Sequence, residues 1–421
     1  MKCSHLLVIV VLLFGCAGNN DESSKSQKAD SGFASFIDNY YHQRMAIFPM
    51  ESTMNGETAY NDKLYASFTD SFVSITHQFY TRTLDTLHSF DREKLDDNEK
   101  ISYDYLNEYA TLLDKNVLFH ANWIPTDQIW GLHLLMGQWA TGDGAQPFKT
   151  VKDYENWLKR MQAFGPWLDS AIGYFRKGIA QNYTLPKPLV RSMIPQFEFM
   201  VTKDAASNLY YSPLNKFPAV VSEPDRKRLT NEYKSAIDSV LIPSYRRMAT
   251  FLKNEYLPAA RASTTGISAL SDGAEQYKLL VRLQTTTDKT PDEIYNIGIA
   301  EVKRIRGLME KIKDSVGFKG DINAFFKFLN TDPQFTPYKT PEEVLNAFRA
   351  IQKRIEPGLP ALFSKFPKTP FEIRRTEEFR EASASAEYLP SPDNIKPGIF
   401  YVPIINATKF NTTSGMQSLF L

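Results

Sequence analysis

Cysteine is nearly missing from these 421 residues: the chain has two, Cys3 and Cys16, both within its first sixteen positions. Beyond Cys16 there is therefore no thiol for a disulfide, a thiolate metal site or a cysteine nucleophile. Histidine is also scarce, with His5 near the start and then only His42, His77, His88, His120 and His133. None stands in a His-Glu-x-x-His arrangement, which would place two imidazoles one helical turn apart to grip zinc beside a glutamate base. Charge of one sign is lacking too. Basic and acidic residues number 49 and 48, and no Lys/Arg block or basic aromatic stripe occurs, which argues against nucleic acid as a partner. The sequence has no Gly-x-Ser-x-Gly elbow, no Walker-type phosphate loop and no Gly-x-Gly-x-x-Gly after a strand. After the N-terminus, no apolar run is long enough to span a bilayer, which needs about 20 residues.

What is present begins at that N-terminus. Lys2 supplies a positive charge, residues 6–14 form an unbroken apolar run, and Leu13-Phe14-Gly15-Cys16 sets a small residue before a cysteine. This is the pattern of a lipobox. The expectation is a signal peptide over 1–15, removed on export, with Cys16 lipidated to anchor the mature chain in the bacterial cell envelope, at the outer membrane. A plain secretory signal or an N-terminal anchor helix is the alternative. Residues 16–31 follow as lipidated cysteine and flexible tether, since nothing in them can bury enough apolar surface to offset ordering.

Residues 32–421 read as one mainly α domain: a helical body over about 32–362 and a strand-bearing segment over about 363–421. In Thr290-Pro291-Asp292-Glu293 the threonine can cap, proline suits the first helical position and glutamate completes a capping box. Ile294, Ile297, Val302, Ile305, Met309 and Ile312 then form one apolar stripe that ends near Gly317. Thr340-Pro341-Glu342-Glu343 repeats the signal, and Pro357-Gly358 ends that second helix. Further helical patterns cover about 33–47, 65–89, 96–114, 151–181, 189–203 and 225–256. Residues 123–148 carry Pro125, Gly131, Gly137, Gly142 and Gly144 and read as a long ordered loop. Such a loop either lines a cleft or covers a core edge with Trp130 and Trp139. Residues 371–375 and 399–404 read as short strands among prolines and glycines. The acidic pairs Asp96-Asp97 and Glu342-Glu343 sit at helix starts, where the dipole favours them. Each lone histidine is read as a surface or satisfied core residue. At the far end, Ser414 to Gln417 has the form of a capping box, and Leu419-Phe420-Leu421 begins an apolar face.

Several stretches carry a likeness to a known group: residues 256–261 (YLPAAR), 266–270 (GISAL), 272–281 (DGAEQYKLLV), 285–294 (TTTDKTPDEI), 298–305 (GIAEVKRI), 379–384 (FREASA), 397–402 (PGIFYV) and 416–421 (MQSLFL). In these the sequence resembles the bacterial family called domain of unknown function 885, many of whose members are lipoproteins similar to zinc-dependent, gluzincin-like peptidases. The resemblance implies that MQSLFL leads into a His-Glu-x-x-Pro-Gly-His-His string, with a later Glu-Gly-Trp segment. Neither lies within these residues, so the expectation is the N-terminal portion of a zinc-metallopeptidase-like protein, inactive as given. The other expectation is a non-catalytic envelope lipoprotein that binds peptides. Leu283-Gln284 departs from the family, whose members commonly show an aromatic-histidine pair there.

For an intact member the resemblance implies that zinc lowers the pKa of a bound water and a glutamate takes its proton. This chain offers no catalytic or metal-binding residues of that kind, and no cofactor is expected in it. Tyr388, Tyr401 and Arg375 are the candidates for touching a peptide substrate, because they lie on or beside the expected strands. Packing or surface roles are the alternative for all three.

Overall fold

The computed structural model describes residues 31–142, 144–364, 366–377, 381–382, 384–391 and 397–411. Cys16, its signal and tether, and the Ser414 to Leu421 end lie outside the described residues. Helices dominate in chain order: α1 (Ser31–Ile47), α2 (Pro49–Met54), α3 (Asp70–Leu87), α4 (Asp97–Asn116), α5 (Leu132–Ala140), α6 (Val151–Ala180) and α7 (Lys187–Glu198). They continue with α8 (Glu223–Ala236), α9 (Ile242–Phe251), the single turn α10 (Leu257–Ala259), α11 (Gly273–Thr285), α12 (Pro291–Ser315), α13 (Ile322–Thr331) and α14 (Pro341–Ile355). Strands β1 (Phe371–Arg375), β2 (Glu387–Leu389) and β3 (Gly398–Val402) form one small sheet in the order β1-β3-β2. β3 runs parallel to β1 and antiparallel to β2. The fold is thus mainly helical with a three-stranded sheet late in the chain, as the residue pattern implied.

Helix starts follow local chemistry closely. Thr290 accepts from the Glu293 backbone N–H while the Glu293 carboxylate accepts from that of Thr290, and Thr340 caps α14 through the N–H of Glu343. Asp96 and Glu99 make the same reciprocal pair at α4. The pattern expected over 225–256 forms, but with two wide π turns, Ile237–Leu241 and Leu252–Tyr256. Pro243 and Pro258 follow them closely. A proline ring clashes with the carbonyl one turn back, and the wider turn makes room. The region 123–148 departs from the expected loop: α5 lies inside it. Gly137 is tolerated in that helix because the Met200 side chain fills the space where a Cβ would point. Trp139 is buried, whereas Trp130 is 87% exposed, so the two tryptophans proposed as a joint core cover part ways.

Three apolar clusters form among the described residues. The main one joins α5 to α9 around Trp157, Met161, Phe164, Leu168 and Tyr245. Burying each such side chain contributes on the order of 1.5–3 kcal/mol before entropy is counted. A second cluster packs α1 against α3 and α4 through Phe33, Phe79 and Leu106. A third sets α14 against the sheet through Val344, Phe348, Ile373 and Phe400.

Arg160 of α6 ties the main cluster to the N-terminal helices. It is 0% exposed and donates to the backbone oxygens of Pro49, Tyr60 and Lys63, to Thr53 Oγ1 and to Gln146 Oε1. The Trp139 ring lies beneath its guanidinium, 5.3 Å from Cζ. Burial pushes the group down to about 9, which leaves it charged at neutral pH.

Candidate functional site

A groove runs between α3 and the segment 117–125, with α1 and α2 at one end and the last turn of α6 at the other. Three adjoining hollows make it up, of about 550, 460 and 280 Å³. The first two share Val73, Val117, Phe119 and Asn122 as common wall, and the last two share Phe48, Glu51, Phe72 and Pro125.

At the α6 end, His120 is the central group. Its Nδ1 lies 2.7 Å from Asp272 Oδ2, and its backbone N–H donates to the same oxygen at 2.9 Å. Burial works to raise the Asp272 carboxyl, but the bonds from His120 and Tyr183 together hold it below the usual carboxylate range. The imidazole packs on Trp123, centroids 4.2 Å apart. Tyr183 closes the edge of that stack, and its phenol is raised by burial first and by Asp272 second. Gly178 makes this crowding possible: a Cβ there would meet the carbonyls of Tyr183 at 2.6 Å and Trp123 at 3.1 Å. Opposite stands Lys177, bonded to Asp70 Oδ2 at 2.7 Å. Asn122 donates to Asp70 Oδ1 and to the Phe68 carbonyl.

The middle hollow is organised by Arg44. Its Nε and Nη2 make a bidentate pair with Glu51 at 2.7 and 2.8 Å, and Nη1 donates to the Tyr80 hydroxyl at 2.8 Å. Burial opposes the Arg44 charge, but Glu51 together with Tyr80 and Tyr40 outweighs it, so its pKa is raised. Burial likewise pushes the Tyr80 phenol up to about 12. Two polar oxygens in this hollow, Thr76 Oγ1 and Asn116 Oδ1, are buried without a hydrogen-bond partner, and Thr76 is only 4% exposed. Phe48, Phe72, Tyr109 and Phe119 supply the apolar walls.

This arrangement suits binding more than bond breaking. A histidine on a carboxylate can take or give a proton, yet no serine, threonine or cysteine lines its hollow to serve as nucleophile. Among the described residues no group of three or more His, Cys, Asp or Glu side chains is placed to hold a metal ion. The described residues therefore do not fit a zinc centre.

The three residues singled out from sequence stand elsewhere. Tyr388 lies on β2 opposite Phe400, with its ring edge-on to Phe371. Arg375 ends β1 and grips Glu381 with two bonds of 2.8 and 2.6 Å, while Glu381 also accepts from the Ile404 N–H. Tyr401 pairs with Arg374 and Glu387 and is 4% exposed. By strand alternation it projects to the sheet face opposite its neighbour Phe400, which faces α14. None of the three lines the groove. The groove residues Arg44, Glu51, Thr76, His120 and Asp272 were not picked out in sequence, because they come together from different elements and match no motif. His120 and Asp272 are 152 positions apart.

A helical body with a partly polar groove and a small sheet packed on its last long helix defines the class of protein. The chain belongs to the family described as bacterial protein of unknown function (DUF885), whose model matches residues 49–421. No curated protein matches it in sequence. Two solved structures share the fold. One, titled "putative lipoprotein", is from Colwellia psychrerythraea, with a TM-score of 0.77 and 18% identity over 92% of this chain and 69% of that one. The other, from Shewanella oneidensis and titled a "putative lipoprotein of unknown function", has a TM-score of 0.60 and 16% identity, covering 91% of this chain and 68% of that one.

Proposed function

We propose that this chain is the substrate-holding helical portion of a lipid-anchored, zinc-metallopeptidase-like protein, held at the outer membrane of the bacterial envelope through Cys16. The lipobox supports the anchor, and the lipoprotein titles of both solved relatives are in keeping with it. No helix among the described residues is long and apolar enough to cross a membrane, so the lipid would be the attachment. The groove carries the ligand-binding part of the reading: it is walled by aromatics and set with paired charges, and no serine, threonine or cysteine lines the hollow that holds His120. No hydrolytic step is assigned to residues of this chain. Metal analysis of the purified chain is expected to find well under one zinc per molecule, and peptide-cleavage assays no turnover. Stoichiometric zinc accompanied by cleavage would overturn the inactivity.

A second reading, that the chain works as a peptide-binding envelope lipoprotein without catalysis, is favoured by the orphaned Thr76 and Asn116 oxygens. Each lacks a donor, and an extended peptide supplies N–H donors along its length. Thr76→Val keeps the shape and removes the hydroxyl. It is expected to weaken binding of blocked phenylalanine-containing tetrapeptides by roughly five- to tenfold, the worth of one buried hydrogen bond. Unchanged affinity in calorimetric titration would remove the middle hollow from the binding site.

A further inference from the structure

The helix α12 belongs to none of the three apolar clusters. It nevertheless carries a long apolar stripe. Ile294, Ile297, Val302, Ile305, Leu308, Met309, Ile312 and Val316 fall within one face at 100° per residue, and all but the part-covered Ile294 are exposed, Val302 at 66% and Ile312 at 56%. Scattered exposed leucines are ordinary, but a continuous apolar band on one helix marks a contact surface.

The charges flanking the band say what fits it. Glu293, in the first turn, and Lys311, near the end, are eighteen residues apart, five whole turns at 3.6 residues per turn, so they lie on the same edge of the stripe about 27 Å apart. Acidic residues lead the helix at Asp292 and Glu293, while Lys303, Arg304, Arg306, Lys311 and Lys313 concentrate in its second half. Laid antiparallel on a copy of itself, the helix sets Glu293 against the Lys311 position of the other chain at both ends. It also opposes the two helix dipoles and closes the contact by a two-fold axis.

We propose that α12 is a self-association surface, through which two copies of this chain pair by antiparallel packing of their apolar stripes. The contact is isologous, so it stops at two and does not propagate into fibres. The single in-band charge, Glu301, lies close to the two-fold axis, where its carboxylate is already paired with Arg304 of the same helix at 2.7 Å.

The test uses the full chain with Cys16→Ser, so that no acyl chain contributes, in sedimentation equilibrium over about 1 to 100 µM. A reversible monomer–dimer equilibrium is expected, with Ile305→Glu weakening it at least tenfold. Lys311→Glu and Glu293→Lys are each expected to weaken the dimer alone, because each then meets a like charge twice. Mixed in equal amounts, the two variants should recover the parental affinity, since both pairs are again opposite in sign. Circular dichroism of each variant checks that the fold is intact. A parental chain that stays monomeric, one that forms open-ended aggregates, a dimer indifferent to Ile305→Glu, or a mixture that fails to recover would each overturn the proposal. So would saturation of the stripe by an added amphipathic helical peptide with no self-association in its absence.

Discussion

Arg160→Ala is expected to cost the helical body on the order of 3–5 kcal/mol. Five acceptors converge on this guanidinium, three of them backbone carbonyls that have been taken out of water. Truncation takes a donor from each of them; Tyr60 keeps the Lys63 N–H and Pro49 the Thr53 hydroxyl, but the others are left short, and each buried group abandoned costs about 1–3 kcal/mol, less whatever water can enter the gap. Arg160→Lys should rescue little. An ammonium is a single donor centre and cannot reach residues 49, 53, 60, 63 and 146 at once, and it gives up the planar contact with Trp139. Urea denaturation followed by tryptophan fluorescence reads both variants. A lysine variant as stable as the parent would show that charge, not the five-way fork, is what the site requires.

The second large effect is one of pH. His133, on α5, is buried, with its ring stacked on Phe197 at 4.1 Å. Its Nε2 donates to Gln196 Oε1 at 3.0 Å, which leaves Nδ1 to accept from the Thr126 hydroxyl at 3.1 Å. Burial pushes the imidazole down to about 4 from an ordinary 6.5. The folded chain therefore resists protonation that the unfolded chain accepts. Stability from this group is complete above pH 6.5 and is lost as pH falls from 6.5 toward 4, by roughly 3 kcal/mol in all. Melting temperatures at pH 7.5 and pH 5 should fall apart in the parent. His133→Gln, which keeps a polar side chain but cannot titrate, is expected to narrow that gap. An equal gap in both proteins would assign the acid sensitivity to other groups.

The residues differ in how far they could be read ahead of the structure. Thr290-Pro291-Glu293 and Thr340-Pro341-Glu343 marked two helix starts because a cap, a proline and a glutamate act within four positions, and the bonds they imply are the ones observed. β1 was legible for a similar reason: a short apolar and charged alternation bounded by proline. α5 was not, since glycine counts as a breaker until a distant side chain such as Met200 fills the space beside it. The stripe of α12 was plain in sequence, yet sequence alone gave no sign that it would face solvent. That depends on which elements pack, not on the helix itself. The groove was the least visible. Asp272 sits in a stretch noted only for its family likeness, and His120 looked like a solitary histidine. Only the fold brings the carboxylate to the imidazole. Arg44 and Glu51 are seven residues apart on two different helices, and neither matches any motif.

The bonds around Arg160 also determine how the molecule carries load. Chain held by its first residues and pulled would take the strain into α1, which grips α2 through the Arg44–Glu51 pair. α2 and the turn after it are in turn pinned to α6 by the arginine's bonds to residues 49, 53, 60 and 63. Force would then reach the main body in shear across several hydrogen bonds at once, not by peeling one helix from its end. A chain pulled from that end would keep its groove walls together under tension until that one side chain gives way.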